Sequence, residues 1–284
     1  MSMILANGLR THVQSLRAVD PQGPAPLVVC VHGLGYDSLA SFYLTLAPPL
    51  AESGLDVLTY DLRGHGRSER PNQGYRLGDF VEDLTAVLAE NGDDRRIHLI
   101  GNSFGGTVAL SYAARNPERV ASVVAIEAEP ATARWVERMG GTMRDVIEAM
   151  DDEYYLDWVG RNFGSHYQRL TRVAAAVIRS TTLIEDVAAD PPLTEQEVAA
   201  IACPVLSVVG GEGFQAEEPM AMQALLPSCR TVVIPDQGHS VLVERHHALR
   251  GPLLDWIAEL EPGWTPRTGD RTGSPGDRAG SRAS

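Results

Sequence analysis

Lysine is absent from this chain of 284 residues, and all 24 basic residues are arginine. Schiff-base chemistry and a lysine general base are therefore excluded. Cysteine is scarce: Cys30, Cys203 and Cys229 are an odd number in no metal-ligand spacing. Cys30 lies in the apolar run Leu27 to Val31 and Cys203 precedes Pro204, which reads as buried reduced thiols rather than disulfides or zinc ligands. No apolar run approaches the roughly 18 residues of a membrane span, and Met1 to Arg10 has neither a long apolar core nor a basic leader, so a cytoplasmic protein is expected. Positive charge is in the minority, and the net charge of −13 repels nucleic-acid backbones and anionic membranes. A small-molecule substrate is the expected partner, with neither nucleic acid nor membrane.

What is present is an ordinary globular composition, 44% hydrophobic and 21% charged, with enough chain to bury a large core. Short apolar runs recur at Leu27 to Val31, Val57 to Tyr60, Ile97 to Ile100, Val120 to Ile126, Val205 to Val209 and Thr231 to Ile234. They do not alternate in polarity, as expected of strands buried on both faces of a parallel sheet. The alternating stretch Leu9 to Val19 reads as an antiparallel edge hairpin. Helical patterns lie between the runs, at Leu39 to Ser53, Leu77 to Asn91, Gly105 to Asn116, Pro219 to Leu226 and His247 to Glu261, which gives an α/β architecture. From Ala128 to Ala202 the strand rhythm stops, and helices are expected over Arg134 to Met150, Tyr154 to Phe163, Tyr167 to Ile184 and Thr194 to Ala200. The expected organisation is a core over 1–127, a helical cap over 128–202, a second core part over 203–261, and a disordered tail over 262–284, rich in Pro, Gly and Ser.

The strongest chemical signal is Gly101-Asn102-Ser103-Phe104-Gly105-Gly106. The bare G-x-S-x-G pattern is common in a chain with 27 glycines. Its position after one strand and before one helix is what makes it specific, because a serine there projects from a strained turn beside a helix N-terminus. Upstream, His32-Gly33-Leu34-Gly35 ends a strand. A glycine-rich turn at that point can aim the Leu34 amide, together with that of Phe104, at one spot above Ser103 and so form an oxyanion hole. His32 itself reads as a hydrogen-bonded structural histidine. Of the eight histidines, only His239 follows the last strand across a short loop, which suits a general base. His12, His65, His98, His166, His246 and His247 read as surface, turn or core residues, and His166 lies in the cap.

With these motifs in this order, and with Asp61-Leu62-Arg63-Gly64-His65-Gly66-Arg67-Ser68 after the fourth strand, the sequence from Leu9 to Glu261 resembles the α/β-hydrolase superfamily. The resemblance implies a mostly parallel eight-stranded sheet flanked by helices, with the helical cap inserted after strand six. In that turn Asp61, Arg63 and His65 read as stabilisers, with Arg63 alternatively facing the cleft. The commonest family pattern places the triad acid where this chain has Gly213, in Val209-Gly210-Gly211-Glu212-Gly213. Two candidates remain: Glu127 at the end of strand six, an arrangement similar to one haloalkane dehalogenase subgroup and the one favoured here, and Glu212 as backup. Dehalogenase and epoxide hydrolase chemistry needs an Asp where Ser103 stands.

The expected activity is serine ester or thioester hydrolysis through Ser103, His239 and Glu127, without cofactor or metal, on an apolar acyl or alcohol group, with CoA- or carrier-linked acyl groups among the candidates. The alternatives are a non-hydrolytic lyase, isomerase or cyclase, a hydrolase of carbon–carbon bonds in ring-cleavage products, to which Gly-Asn-Ser-Phe-Gly-Gly is similar, and a binding protein on the same fold. Cap residues Trp135, Met139, Met143, Trp158, Phe163 and His166 are candidates for the substrate pocket, against the simpler reading that they pack the cap onto the body.

Overall fold

The computed structural model describes residues 2–21, 23–151, 153–213, 215 and 217–267. The chain opens with the hairpin β1 (Ser2–Ala6) and β2 (Leu9–Leu16), closed by Asn7 and Gly8 at φ 50° and 75°. Two successive residues of positive φ suit the right-handed twist of a two-residue hairpin. Leu9 to Leu16 is thus one arm of the hairpin and not the whole of it. The other arm is mostly exposed, so burial imposed no clear pattern on its sequence.

Next come β3 (Leu27–Val31), β4 (Asp56–Tyr60), β5 (Ile97–Asn102), β6 (Val120–Ile126), β7 (Val205–Gly210) and β8 (Cys229–Ile234). The sheet order is β1-β2-β4-β3-β5-β6-β7-β8, antiparallel at β1·β2 and β2·β4 and parallel elsewhere. Successive side chains of the central strands enter two different apolar layers. Val29, Leu99 and Val123 pack with Phe80, Leu84 and Val108, while Val28, Ile100 and Val124 pack with Phe42, Leu50 and Leu253. Both faces being covered explains why these strands read as unbroken apolar runs.

The first layer is supplied by α3 (Leu77–Asn91) and α4 (Phe104–Arg115), the second by α1 (Leu39–Tyr43), α2 (Ala47–Glu52) and α12 (His246–Leu260). The single helix expected over Leu39 to Ser53 is broken between α1 and α2. Pro48 and Pro49 have no amide hydrogen to continue a helix but are tolerated in the first turn of a new one. Between β6 and β7 lie α5 (Ala133–Asp151), α6 (Glu153–Phe163), α7 (Ser165–Ser180), α8 (Leu183–Asp186) and α9 (Glu195–Ala199). The pattern over Tyr167 to Ile184 is likewise split, because Thr181 is extended at φ −140° and ψ 168°. The remaining helices are α10 (Ala221–Leu225) and α11 (Val241–Glu244). Among the described residues, no helix is long and apolar enough to cross a membrane.

Ordered structure continues past Glu261. Trp264 packs against the second apolar layer, and its Nε1 donates to the Gly54 carbonyl at 3.1 Å. The Arg267 amide donates to the Ser53 carbonyl at 3.1 Å, and its guanidinium donates to that of Val19 at 3.1 Å. The rest of the expected tail, 268–284, lies outside the described residues. Trp264→Ala is expected to lower unfolding stability by about 1–3 kcal/mol, from lost packing and one hydrogen bond, with catalytic turnover unchanged. Calorimetry and an activity assay on the same sample check this.

Candidate active site

The strand β5 delivers Ser103 to the carboxyl edge of the sheet in a conformation that L-residues resist, φ 52° and ψ −123°. Its amide donates to the Ile126 carbonyl at 2.8 Å, and its carbonyl accepts from the Gly106 amide at 2.9 Å. The turn needs glycine on both sides. A Cβ on Gly105 would lie 2.1 Å from the Val31 carbonyl oxygen, and one on Gly101 would lie 2.4 Å from that of Gly105.

His239 reaches the serine from the loop after β8. Its Nε2 lies 3.0 Å from Ser103 Oγ, and its Nδ1 lies 3.1 Å from Glu127 Oε2. The carboxylate accepts at Nδ1, so the proton sits there and Nε2 is left to accept from the hydroxyl. The imidazole is half exposed while Glu127 is fully buried. A buried carboxylate needs partners, and the other oxygen, Oε1, accepts the Gly210 amide hydrogen. Glu127 also has a left-handed backbone, φ 50°, and its amide donates to the Val208 carbonyl at 2.8 Å. The loop carrying His239 is braced by Gln237, which donates to Glu244 at 3.0 Å and accepts from Arg245 at 3.1 Å.

Position 213, where the commonest family pattern has its acid, and the Glu127 side chain compete for the same space. A Cβ on Gly213 would lie 2.5 Å from Glu127 Oε2, so a side chain at 213 and the Glu127 carboxylate exclude each other. Glu212 is exposed, and only its backbone is tied down, through its amide to the Gln237 carbonyl at 2.8 Å. The carboxylate that meets His239 is that of Glu127.

The Leu34 and Phe104 amides border the same cavity as Ser103 and His239. Phe104 is the first residue of α4, where an amide has no intrahelical acceptor. Among the described residues neither amide hydrogen has an acceptor. The cavity has a volume of about 310 Å³ and is walled by Met139 and Met143 of α5, Ile178 of α7, Leu183, Leu242 and Val243. A larger cavity, about 1170 Å³, opens between the start of α5, α9 and α10 and includes none of these site residues.

A family model described as the alpha/beta hydrolase fold matches residues 26–196, more than half of the chain. The chain belongs to this family. A Bacillus subtilis (strain 168) protein assigned as a 2-succinyl-6-hydroxy-2,4-cyclohexadiene-1-carboxylate synthase is 29% identical over 80% of this chain and 89% of its own length. Epoxide hydrolase B of Mycobacterium tuberculosis is 34% identical over 54% of this chain, but that match spans only 41% of the relative. Among solved structures, the carboxylesterase CesB of Bacillus subtilis superposes with a TM-score of 0.69 at 23% identity, covering 91% of each chain. The enol-lactonase of Burkholderia xenovorans LB400 gives 0.68 at 21% identity, over 90% of this chain and 99% of its own. At these identities the structural likeness establishes the α/β-hydrolase fold alone.

Of the expected pocket residues, the structure places Met139 and Met143 at the cavity. Trp135 lies beneath it, 3% exposed and stacked on Phe104 with ring centres 6.3 Å apart, because the first turn of α5 must seal the first apolar layer. Trp158 faces outward on α6, stacked on Tyr155. The side chains of Phe163 and His166 lie outside the described residues. Arg63 does not face the cleft. Its Nε and Nη2 each donate to Asp83 at 2.6 Å in a buried fork. Among the described residues, no group of three or more His, Cys, Asp or Glu side chains could hold a metal ion.

Sequence reasoning missed Gly210, whose amide holds the buried acid, and Asp37, which borders the cavity and accepts from the Gly33 amide at 2.7 Å. A glycine closing β7 was a visible signal for the first. The second had none, since an Asp in a loop has many uses.

Gly213→Ala is expected to push the Glu127 carboxylate off His239 and lower kcat by at least about tenfold while the melting temperature moves little, which steady-state kinetics beside calorimetry will measure. A second prediction concerns His65, whose pKa is pushed down to about 4 from 6.5, first by burial and then by the neighbouring His32. The unfolded chain takes up this proton below pH 6.5 and the folded chain does not. His65 therefore makes stability fall as pH drops from about 6.5 to about 4. Melting curves across that window should be less steep in His65→Gln than in wild type.

Proposed function

We propose that this family member is a serine hydrolase of esterase or thioesterase type, acting on an uncharged, apolar acyl group. The observation that carries the reading is the continuous hydrogen-bonded chain Ser103–His239–Glu127 at the floor of an apolar cavity. In this mechanism His239 Nε2 removes the Ser103 proton as Oγ attacks the acyl carbonyl. The developing oxyanion accepts hydrogen bonds from the Leu34 and Phe104 amides, where fixed donors in a water-poor site are worth more than in bulk solvent. Glu127 stabilises the imidazolium. When the tetrahedral intermediate collapses, its bond to the leaving oxygen or sulfur breaks and His239 returns the proton to that atom. Water, deprotonated by His239, then releases the acid from the acyl-enzyme.

Polarity of the cavity supports the substrate class. Among the described residues lining it there is no arginine, and its one carboxylate, Asp37, already accepts from Gly33, Ser38 and Ser41. A substrate carboxylate beside Ser103 would find no counter-charge there. Ser103 in place of the required Asp also argues against epoxide hydrolase chemistry, despite the partial match to Epoxide hydrolase B. The second reading is a lyase-type reaction without an acyl-enzyme, favoured by the match along 80% of this chain to the Bacillus subtilis protein assigned as a synthase.

A fluorophosphonate probe followed by peptide mass spectrometry separates the two. Stoichiometric phosphonylation of Ser103 is expected, absent in Ser103→Ala and slowed by about 10³-fold or more in Glu127→Gln but not in Glu212→Gln. A wild-type protein that stays unlabelled overturns the acyl-enzyme and favours the lyase.

A further inference from the structure

Three consecutive amides, those of Gly33, Leu34 and Gly35, cross the mouth of the site, and two of them are already used. Gly33 donates to Asp37 Oδ2 at 2.7 Å and Gly35 to His65 Nε2 at 3.1 Å. Only the middle amide has no acceptor among the described residues. Its direction is fixed from behind. The Gly33 carbonyl and the Leu34 N–H belong to one trans peptide and point opposite ways, and that carbonyl oxygen lies 2.7 Å from His32 Nδ1. The Leu34 N–H therefore leaves the peptide on the side away from His32.

Both histidines are restricted to one protonation state by the backbone of a single turn. His32 Nε2 accepts from the Leu62 amide at 2.9 Å, so the ring proton is on Nδ1 and donates to Gly33. His65 Nε2 accepts from Gly35, so its proton is also on Nδ1 and donates to the Arg63 carbonyl at 2.8 Å. The rings are buried and meet edge to face, 5.5 Å apart. The turn that holds them is rigid in its own right. Asp61 accepts from the Leu39 amide at 2.8 Å, the Arg67 amide at 2.9 Å and His12 Nδ1 at 2.7 Å.

Building on the acyl-enzyme reading, we propose that His32 and His65 are positioning residues that, through neutral Nδ1–H rings anchored on the turn after β4, aim the Leu34 amide at the reaction's oxyanion. They touch no substrate. Their effect belongs to the transition state, because an oxyanion donor turned aside costs kcat and leaves ground-state binding nearly intact. The pKa of His65, pushed down to about 4 by burial and by His32, keeps its ring neutral over the working range and agrees with this role.

Substitutions that keep one ring nitrogen's function and lose the other test the proposal. An asparagine amide reaches the Nδ1 position and a glutamine amide the Nε2 position. His32→Asn keeps the donor to Gly33, and His65→Gln keeps the acceptor for Gly35. His32→Gln and His65→Asn lose them. On a neutral p-nitrophenyl ester, the first pair should hold kcat within about tenfold of wild type. The second pair should lose about 10²–10³-fold in kcat, the cost of one oxyanion donor, with KM within about threefold. Affinity for an alkyl trifluoromethyl ketone, which forms an oxyanion on Ser103, should fall in parallel. Equal kcat in the two pairs, or losses that follow melting temperature alone, overturns the proposal. Wild-type histidine ¹⁵N spectra give a check that no misfolded variant can spoil: an Nε2–H or doubly protonated ring at either residue at pH 7 also overturns it. Should wild type fail to phosphonylate at Ser103, the acyl-enzyme reading itself falls, whereas a labelled wild type with no split between the pairs refutes only the positioning role.

Discussion

Ser103 is held in a backbone conformation that an L-residue adopts at a cost of order 1–3 kcal/mol, and the surrounding structure is arranged to keep it there. The Ile126 carbonyl accepts its amide, α4 starts on its carbonyl, and two flanking glycines allow the backbones of β3 and α4 to close around it. None of these contacts forms unless β5 lies between β3 and β6, which the parallel register of the central strands enforces. The reactive geometry is thus a property of the assembled sheet edge and not of the hexapeptide.

The electrostatics of the site follow a similar logic of fixed partners. Glu127 is a fully buried carboxylate that keeps two donors, the Gly210 amide and the His239 ring. His239 is half exposed, and in the proposed mechanism it is the member that exchanges protons with a leaving group or with water. Burying Glu127 and exposing His239 suits the roles proposed for them: the acid must not move, and the base must meet substrate. On the far side of the serine, Asp61 and the Arg63–Asp83 fork stiffen the turn that supports the glycine loop.

Much of this is legible in the sequence. The central strands show in the sequence because burial on both faces leaves only apolar residues, and the elbow shows because its glycines are sterically compulsory. Glu127 was legible in part: it ends a strand, and Gly213 removes the side chain that would occupy its place. Elements governed by exposure or by local breaks were harder to read. The outer strand Ser2–Ala6 is mostly exposed and carries little burial signal, and the breaks between α1 and α2 and at Thr181 interrupt periodic patterns that look continuous. The pocket was the least legible part. Trp135 and Met139 lie on the same helix four residues apart, yet one seals the core and the other borders the cavity, a difference set by where the helix sits and not by residue type.

The position of Glu127 has a mechanical consequence. It is the first residue after β6, and the chain leaves the sheet there toward α5, which carries Met139 and Met143 to the cavity wall. Ser103 and Glu127 therefore both precede the helical layer in the chain, and His239 follows it. Only five residues, 128–132, join Glu127 to α5, so in the proposed mechanism the acid and the pocket wall hang on one short stretch of backbone. An acid at position 213, beyond the whole helical layer, would have no such short link to α5.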